Sequence, residues 1–192
     1  LAWAVSRELQ TVADYYIDLH SGDDYETLTS YVYYAGVAPE ETVAESRRMA
    51  EQVDVPYMVK SNVASGGSYN YAASQGIPSI LIERGGMGEW TYEEARSTRR
   101  DVRNILCHLG IYLGQKDFRT YYPLDVTDLC YQAAEENGLW YPFKKAGDVF
   151  KKGDILGEVR DYEGNMKEMS VAEYDGVILY QCSTLQVLQN GP

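Results

Sequence analysis

Apolar residues recur at helical spacing through residues 1–13, with Trp3, Val5, Leu9 and Val12 available to one side. Tyr15-Tyr16-Ile17-Asp18-Leu19 then reads as a short buried strand that ends at His20, followed by a polar, turn-like Ser21 to Asp24. Tyr31 to Tyr34 fits a second strand. Pro39 to Val53 predicts a helix, with Pro near its start, acidic residues in the first turn and Arg47 and Arg48 later. Tyr57 to Lys60 is a strand, and Ser-Gly-Gly-Ser at 65–68 is a loop. A short helix through Tyr71 to Gln75 stops at Gly76. Pro78 to Ile82 is an apolar strand with Glu83 at its carboxyl end. Thr91 and Glu94 form a capping box for a long helix running to about Gly114. Strands alternating with helices predict an α/β domain with a largely parallel or mixed sheet.

From about Leu124 the texture changes. Short apolar runs are separated by turn dipeptides at Gly147-Asp148, Gly153-Asp154, Glu163-Gly164 and Asp175-Gly176, which predicts a small all-β module. The expected division is therefore an α/β part over 1–122 and an all-β part over 123–192. Ala146-Gly147-Asp148-Val149-Phe150 and Lys152-Gly153-Asp154-Ile155-Leu156 resemble the strand-turn pattern of biotinyl/lipoyl-type barrel-sandwich domains. Those domains carry a modified Lys in a tight hairpin. Lys167 matches that hairpin only loosely, so a structural module is the expectation.

Ligands of α/β sheets bind beyond the carboxyl ends of strands, and both His20 and Glu83 occupy such ends. The loop after His20 leaves its ring free to face a cleft. Asp18 lies two residues earlier on the same strand face, where it can hold the second ring nitrogen of a ligating His. On spacing alone an ordinary loop His, with Asp18 tying down nearby backbone, fits equally. Glu83 closes a buried apolar strand, a position that suits a general base facing a cleft; the alternative is a surface Glu paired with Arg84. Arg84 itself points to the opposite face if the strand continues. His108, between Cys107 and Leu109 in a helix, is expected to be a packing or surface residue.

The formal net charge of the 192 residues is −12, which repels phosphate backbones and argues against nucleic acid as a partner. Hydrophobic residues make up 45%, enough for a packed core. Cys107, Cys130 and Cys182 are far apart and form no CxxC, which argues against a disulfide framework or a cysteine metal site and favours a reducing cytoplasm. No apolar run reaches the ~20 residues that cross a bilayer, and no signal peptide is read. The chain opens within a helix pattern and without Met, so its first residue is expected not to be the natural start. The 18 tyrosines suit clefts and subunit contacts, compatible with a homo-oligomer.

Read together, Asn62-Val63-Ala64-Ser65-Gly66-Gly67-Ser68, Gln75-Gly76-Ile77 and Ile82-Glu83-Arg84 resemble the zinc carboxypeptidase pattern of Ala-Ser-Gly-Gly-Ser, a short helix, Gln-Gly-Ile and a strand ending in Glu. Asp18-Leu19-His20 is similar to the Asp-Leu-His of the aspartoacylase and succinylglutamate desuccinylase deacylases, which also carry a small β domain. The resemblance implies a carboxypeptidase-like α/β/α domain, present in part, followed by a barrel-sandwich-like domain. It implies Zn2+ as cofactor, His20 as one ligand of a two-His, one-carboxylate site, and Glu83 as the base that activates water. It implies a small N-acylated substrate, with Asn62, Ser65, Tyr69 and Arg84 as candidate contacts. Asn62 stands where carboxypeptidases carry a mobile Tyr, which favours the deacylase reading.

The family's early His-x-x-Glu motif and its clamping arginines are absent from these residues. This chain alone is therefore expected to hold zinc weakly or not at all. Three functions follow from the sequence: a zinc-dependent deacylase first, a peptide-directed metallocarboxypeptidase second, and a metal-free binding domain that keeps the fold third.

Overall fold

The computed structural model of the protein describes residues 2–191; Leu1, expected to open the first helix, lies outside the described residues. Helix α1 spans Ala2–Glu8, and a 3-10 turn follows at Gln10–Val12. Its apolar side is not a core face, since Trp3, Leu9 and Val12 are all exposed. The buried residue here is Gln10, whose amide donates to the Ser68 carbonyl at 3.0 Å. Strand β1 is Tyr16–His20, β2 is Glu26–Leu28 and β3 is Tyr31–Ala35. Helix α2 is Glu40–Ala50, β4 is Tyr57–Ser61, α3 is Ser68–Ser74 and β5 is Ser79–Glu83. Helix α4 is Tyr92–His108 and β6 is Leu124–Val126.

A five-stranded mixed sheet carries the order β1-β5-β3-β4-β6. Strand β3 runs antiparallel to β5, and the other pairings are parallel. The pleat sends alternate residues to opposite faces. On one face Val32, Tyr34, Met58, Ile80 and Ile82 pack with Met49 and Val53 and with Ile105 of α4. Burying each such side chain contributes roughly 1.5–3 kcal/mol. On the other face Leu81 and Ala35 pack with Tyr69 and Ala73 of α3, flanked by Tyr16 and Tyr33. Asp18, His20 and Glu83 share this second face by their spacing along β1 and β5.

The capping box of α4 is present, with the Thr91 hydroxyl accepting from the Glu94 amide. The helix stops at His108 rather than at Gly114. Gly110 takes φ +71°, and the amides of Ile111 and Tyr112 both turn back to the Leu106 carbonyl. Helix α2 is shorter than its pattern: Pro39 caps it in an extended conformation, and 51–53 continue as tight turns.

The chain divides into two compact units. One holds Leu1–Ser21, Ser30–Arg84 and Thr91–Leu129; the other holds Gly22–Thr29, Gly85–Trp90 and Cys130–Pro192. The expected boundary at 122/123 falls short, because β6 adds in parallel to β4 and prolongs the first sheet to Val126. Two excursions of the first part of the sequence also join the second unit, and β2 lies in one of them.

The second unit contains β7 (Gly138–Pro142), β8 (Val149–Phe150), β9 (Ile155–Arg160), β10 (Met166–Val171), β11 (Gly176–Val177), β12 (Tyr180–Cys182) and β13 (Gln186–Val187). They pair as β10-β9-β7-β13, β11-β8 and β12-β2, and no helix lies among this unit's described residues. The repeated Gly-Asp pattern folds twice in the same way. Asp148 accepts from the Lys145 amide and Asp154 from the Lys151 amide, and Gly147 and Gly153 both take φ +90°, which favours glycine. The β9–β10 turn is held by Asp161, whose carboxylate accepts from the amides of Glu163 and Asn165. Lys167 sits past that turn, within β10, so it is not at a hairpin tip. Among the described residues no helix is long and apolar enough to cross a membrane.

Candidate active site

Strands β1 and β5 run parallel in unbroken register, Tyr16 opposite Ser79 through to His20 opposite Glu83. Ile17 packs against the main core, so the pleat leaves Asp18 and His20 on the other face. Ile80 and Ile82 in turn fix the face that Glu83 presents. His20 and Glu83 thus meet because two apolar strands end at the same level.

The imidazole lies between two carboxylates. His20 Nε2 is 3.4 Å from Asp18 Oδ1, and Nδ1 is 3.6 Å from Glu83 Oε1. These are charge contacts, longer than tight charge-assisted hydrogen bonds. The His20 side chain is 49% exposed, against 18% for Asp18 and 14% for Glu83. Asp18 first and Glu83 second push the His20 pKa from 6.5 up to about 10, with burial working in the other direction. A nitrogen that ligates a metal must give up its proton, so protonation and metal binding compete for this ring.

The other sequence candidates are placed elsewhere. Ala35 pairs with Ser61, and Tyr31 with Glu83. The end of β4 therefore lies at the opposite edge of the sheet from the end of β5. Four residue steps at ~3.3 Å put the edges roughly 13 Å apart. Asn62 and Ser65 are exposed in the loop that leaves that far edge. Tyr69 is buried, with its carbonyl accepting from the Ser79 hydroxyl at 2.6 Å and its ring stacked on Tyr33 at 6.2 Å. The structure does not bring Asn62 and Ser65 to His20 and Glu83, whereas Tyr69 packs on the sheet face that carries Glu83. Arg84 points to the opposite face from Glu83, as expected from its place after the strand, and pairs with Asp101 at 2.7 Å, so the alternative of a surface Glu83 paired with Arg84 is not formed. His108 packs at the end of α4 with Nε2 3.2 Å from Glu45 Oε1, as a packing residue.

Sequence reasoning missed Tyr31. It is the register partner of Glu83, 3% exposed, and its ring meets Tyr33 edge-on at 5.2 Å. Tyr31, Tyr33 and Tyr69 form an aromatic row along the face that carries Glu83.

Comparison with solved structures places the fold. The product-bound ectoine utilization protein EutE (DoeB) of Ruegeria pomeroyi superposes with TM-score 0.86 at 22% identity, covering 98% of this chain and 59% of that one. A succinylglutamate desuccinylase/aspartoacylase structure from Rhodobacter sphaeroides gives 0.83 at 21% identity, with the same coverage of 98% and 59%. The shared architecture is a mixed α/β fold around a central mixed sheet. The chain belongs to the succinylglutamate desuccinylase/aspartoacylase family, whose catalytic-domain model matches residues 1–109. N-alpha-acetyl-L-2,4-diaminobutyric acid deacetylase of Halomonas elongata is 28% identical over 183 residues, which cover 90% of this chain and 53% of that protein. The chain thus spans about half the length of that curated relative.

The fold family implies zinc. An imidazole flanked by carboxylates is suitable donor chemistry, and a catalytic zinc takes three protein ligands with one position left open. Among the described residues no three His, Cys, Asp or Glu side chains gather in a way that holds a metal ion. His20 fits as one ligand, but the described residues do not complete a zinc centre by themselves.

Proposed function

We propose that these residues form part of the catalytic domain of a zinc-dependent deacylase that hydrolyses the amide bond of a small N-acyl amino acid. The observation that carries this reading is the meeting of His20 and Glu83 at the carboxyl ends of parallel strands, in a chain that belongs to the desuccinylase/aspartoacylase family. The named activity of the Halomonas elongata relative supports it.

In this reading His20 supplies one metal ligand through one ring nitrogen, and Asp18 holds the other nitrogen and fixes the ring. The remaining ligands come from outside these 192 residues, in keeping with a chain that spans about half of its relative. Zinc, when bound, supplies Lewis acidity toward the amide carbonyl. Glu83 is the general base: its carboxylate accepts a proton from the attacking water and returns it to the leaving amine. Tyr69 closes the far end of the Tyr31–Tyr33–Tyr69 row on the face that carries Glu83, while Asn62 and Ser65 lie beyond the reach of a small N-acyl amino acid held at Glu83. The strands of the second unit form the small barrel-sandwich-like domain.

The test is an amine-release assay of the full-length protein with N-alpha-acetyl-L-2,4-diaminobutyric acid, succinylglutamate and an N-acylated aspartate. Activity with at least one substrate, lost on chelation and regained with zinc, is expected. No release by zinc-replete protein contradicts the reading and favours a binding domain that keeps the fold.

A further inference from the structure

We propose that Arg84 is a positioning residue: its buried ion pair with Asp101 and its main-chain bond to His20 together hold Glu83 beside the imidazole. The role depends on the deacylase reading for its consequence in turnover, and on geometry alone for the placement of His20.

Arg84 directly follows Glu83, and its side chain is 6% exposed. One guanidinium nitrogen donates to Asp101 Oδ2 at 2.7 Å and to Thr98 Oγ1 at 3.3 Å; the other donates to the Asp54 carbonyl at 3.2 Å. Asp101 is fully buried and also accepts the Asp54 amide at 3.0 Å. Both the amide and the carbonyl of Asp54 are therefore tied into the pair. On the main chain, the Arg84 amide donates to the His20 carbonyl at 3.2 Å, which carries the β1–β5 ladder one residue past Glu83. Arg84 thus grips α4 with its side chain and β1 with its backbone, and Glu83 is the residue between those grips and the strand.

Apolar packing would secure the same strand end at lower desolvation cost, because buried ion pairs are rarely better stabilisers than hydrophobic isosteres. What the forked guanidinium adds is direction. It is also the last side-chain anchor before Gly85 and Gly86, and Gly85 takes φ +87°. Small displacements of a reacting group are costly in turnover, so an anchor here acts on Glu83. The guanidinium is buried on the opposite face, which removes Arg84 from the substrate contacts suggested by the sequence.

The experiment compares wild-type full-length protein with Arg84→Lys, Arg84→Met and the double variant Arg84→Met/Asp101→Asn. The double variant leaves no lone charge buried, and the Asn side chain still accepts the Asp54 amide. Expected results are a lowered Tm in Arg84→Met, a Tm largely regained in the double variant, and a kcat that stays about 10- to 100-fold down in both with KM nearly unchanged. Arg84→Lys falls between, because an ammonium cannot span Asp101 and the Asp54 carbonyl as the fork does. Recovery of kcat together with Tm in the double variant overturns the proposal, as does a rise in KM at unchanged kcat. If wild type releases no amine, the deacylase reading fails and a second readout decides. The His20 ring Cε1–Hε1 NMR signal is expected to move in the double variant while that of His108 stays in place; an unmoved His20 signal overturns the proposal. If Arg84→Met does not fold, the same two readouts on Arg84→Lys decide it, with unchanged kcat and an unmoved His20 signal as the contrary result.

Discussion

His20 and Glu83 are register partners on parallel strands, and His20 Nδ1 stands 3.6 Å from the Glu83 carboxylate while Asp18 stands 3.4 Å from Nε2. A ring flanked on both nitrogens by carboxylates keeps its proton far above its ordinary range. The following expectations rest on that arrangement and on the strand ends that create it.

In the chain kept free of metal with a chelator, the His20 ring signals titrate well above 6.5, toward about 10. Asp18→Asn removes the largest cause and moves the midpoint down. The folded pKa is raised above the unfolded value, so the stability contributed by charged His20 is fully present below pH 6.5 and is lost as pH rises from there through about 10. The half-exposed ring keeps that contribution small. NMR follows the titration with His108 as the second, separate histidine signal. A His20 midpoint near 6.5 in the wild type contradicts the geometry.

Asp101→Ala leaves the Arg84 guanidinium buried without its carboxylate and the Asp54 amide without its acceptor. The expected loss is about 3–5 kcal/mol, the usual cost of breaking a buried pair from one side. Urea denaturation measures it. A loss within about 0.5 kcal/mol, typical of surface substitutions, shows that the pair is not buried as described.

The strand ends were legible because apolar runs of five residues bounded by polar turns set both length and pleat. Ile80 and Ile82 facing the core leave Glu83 no choice of face. The sheet edge at which Asn62 and Ser65 lie was not legible. It depends on β3 running antiparallel to β5 and parallel to β4, and pairing direction leaves no mark in a strand's own residues. Strands β2 and β6, three residues each, are too short to show a period. The Arg84–Asp101 pair joins residues 17 apart in sequence across a helix and a strand, so only the fold reveals that Arg84 turns inward.

Asn62→Ala and Ser65→Ala test the distance between the two sheet edges. Residues set off from the general base by at least roughly 13 Å along the strands, and carried by a strand two places across the sheet, lie beyond the reach of a small substrate, so kcat and KM both hold. Steady-state kinetics of the full-length protein separate the two constants. A loss of kcat at unchanged KM places these side chains at the reacting centre and contradicts the sheet geometry.

The pairing of roles between His20 and Glu83 is tested most directly by zinc content and turnover measured side by side in full-length Glu83→Gln and His20→Ala. Gln keeps the shape of Glu but cannot take the proton. Glu83→Gln is therefore expected to retain zinc nearly at the wild-type level while turnover falls by roughly 10²–10⁴-fold. His20→Ala removes a ligand and is expected to lose both metal and activity. Equal zinc loss in the two variants would make Glu83 a ligand, and unchanged turnover in Glu83→Gln would remove it from the reaction; either result contradicts the assignment of His20 to the metal and Glu83 to the proton.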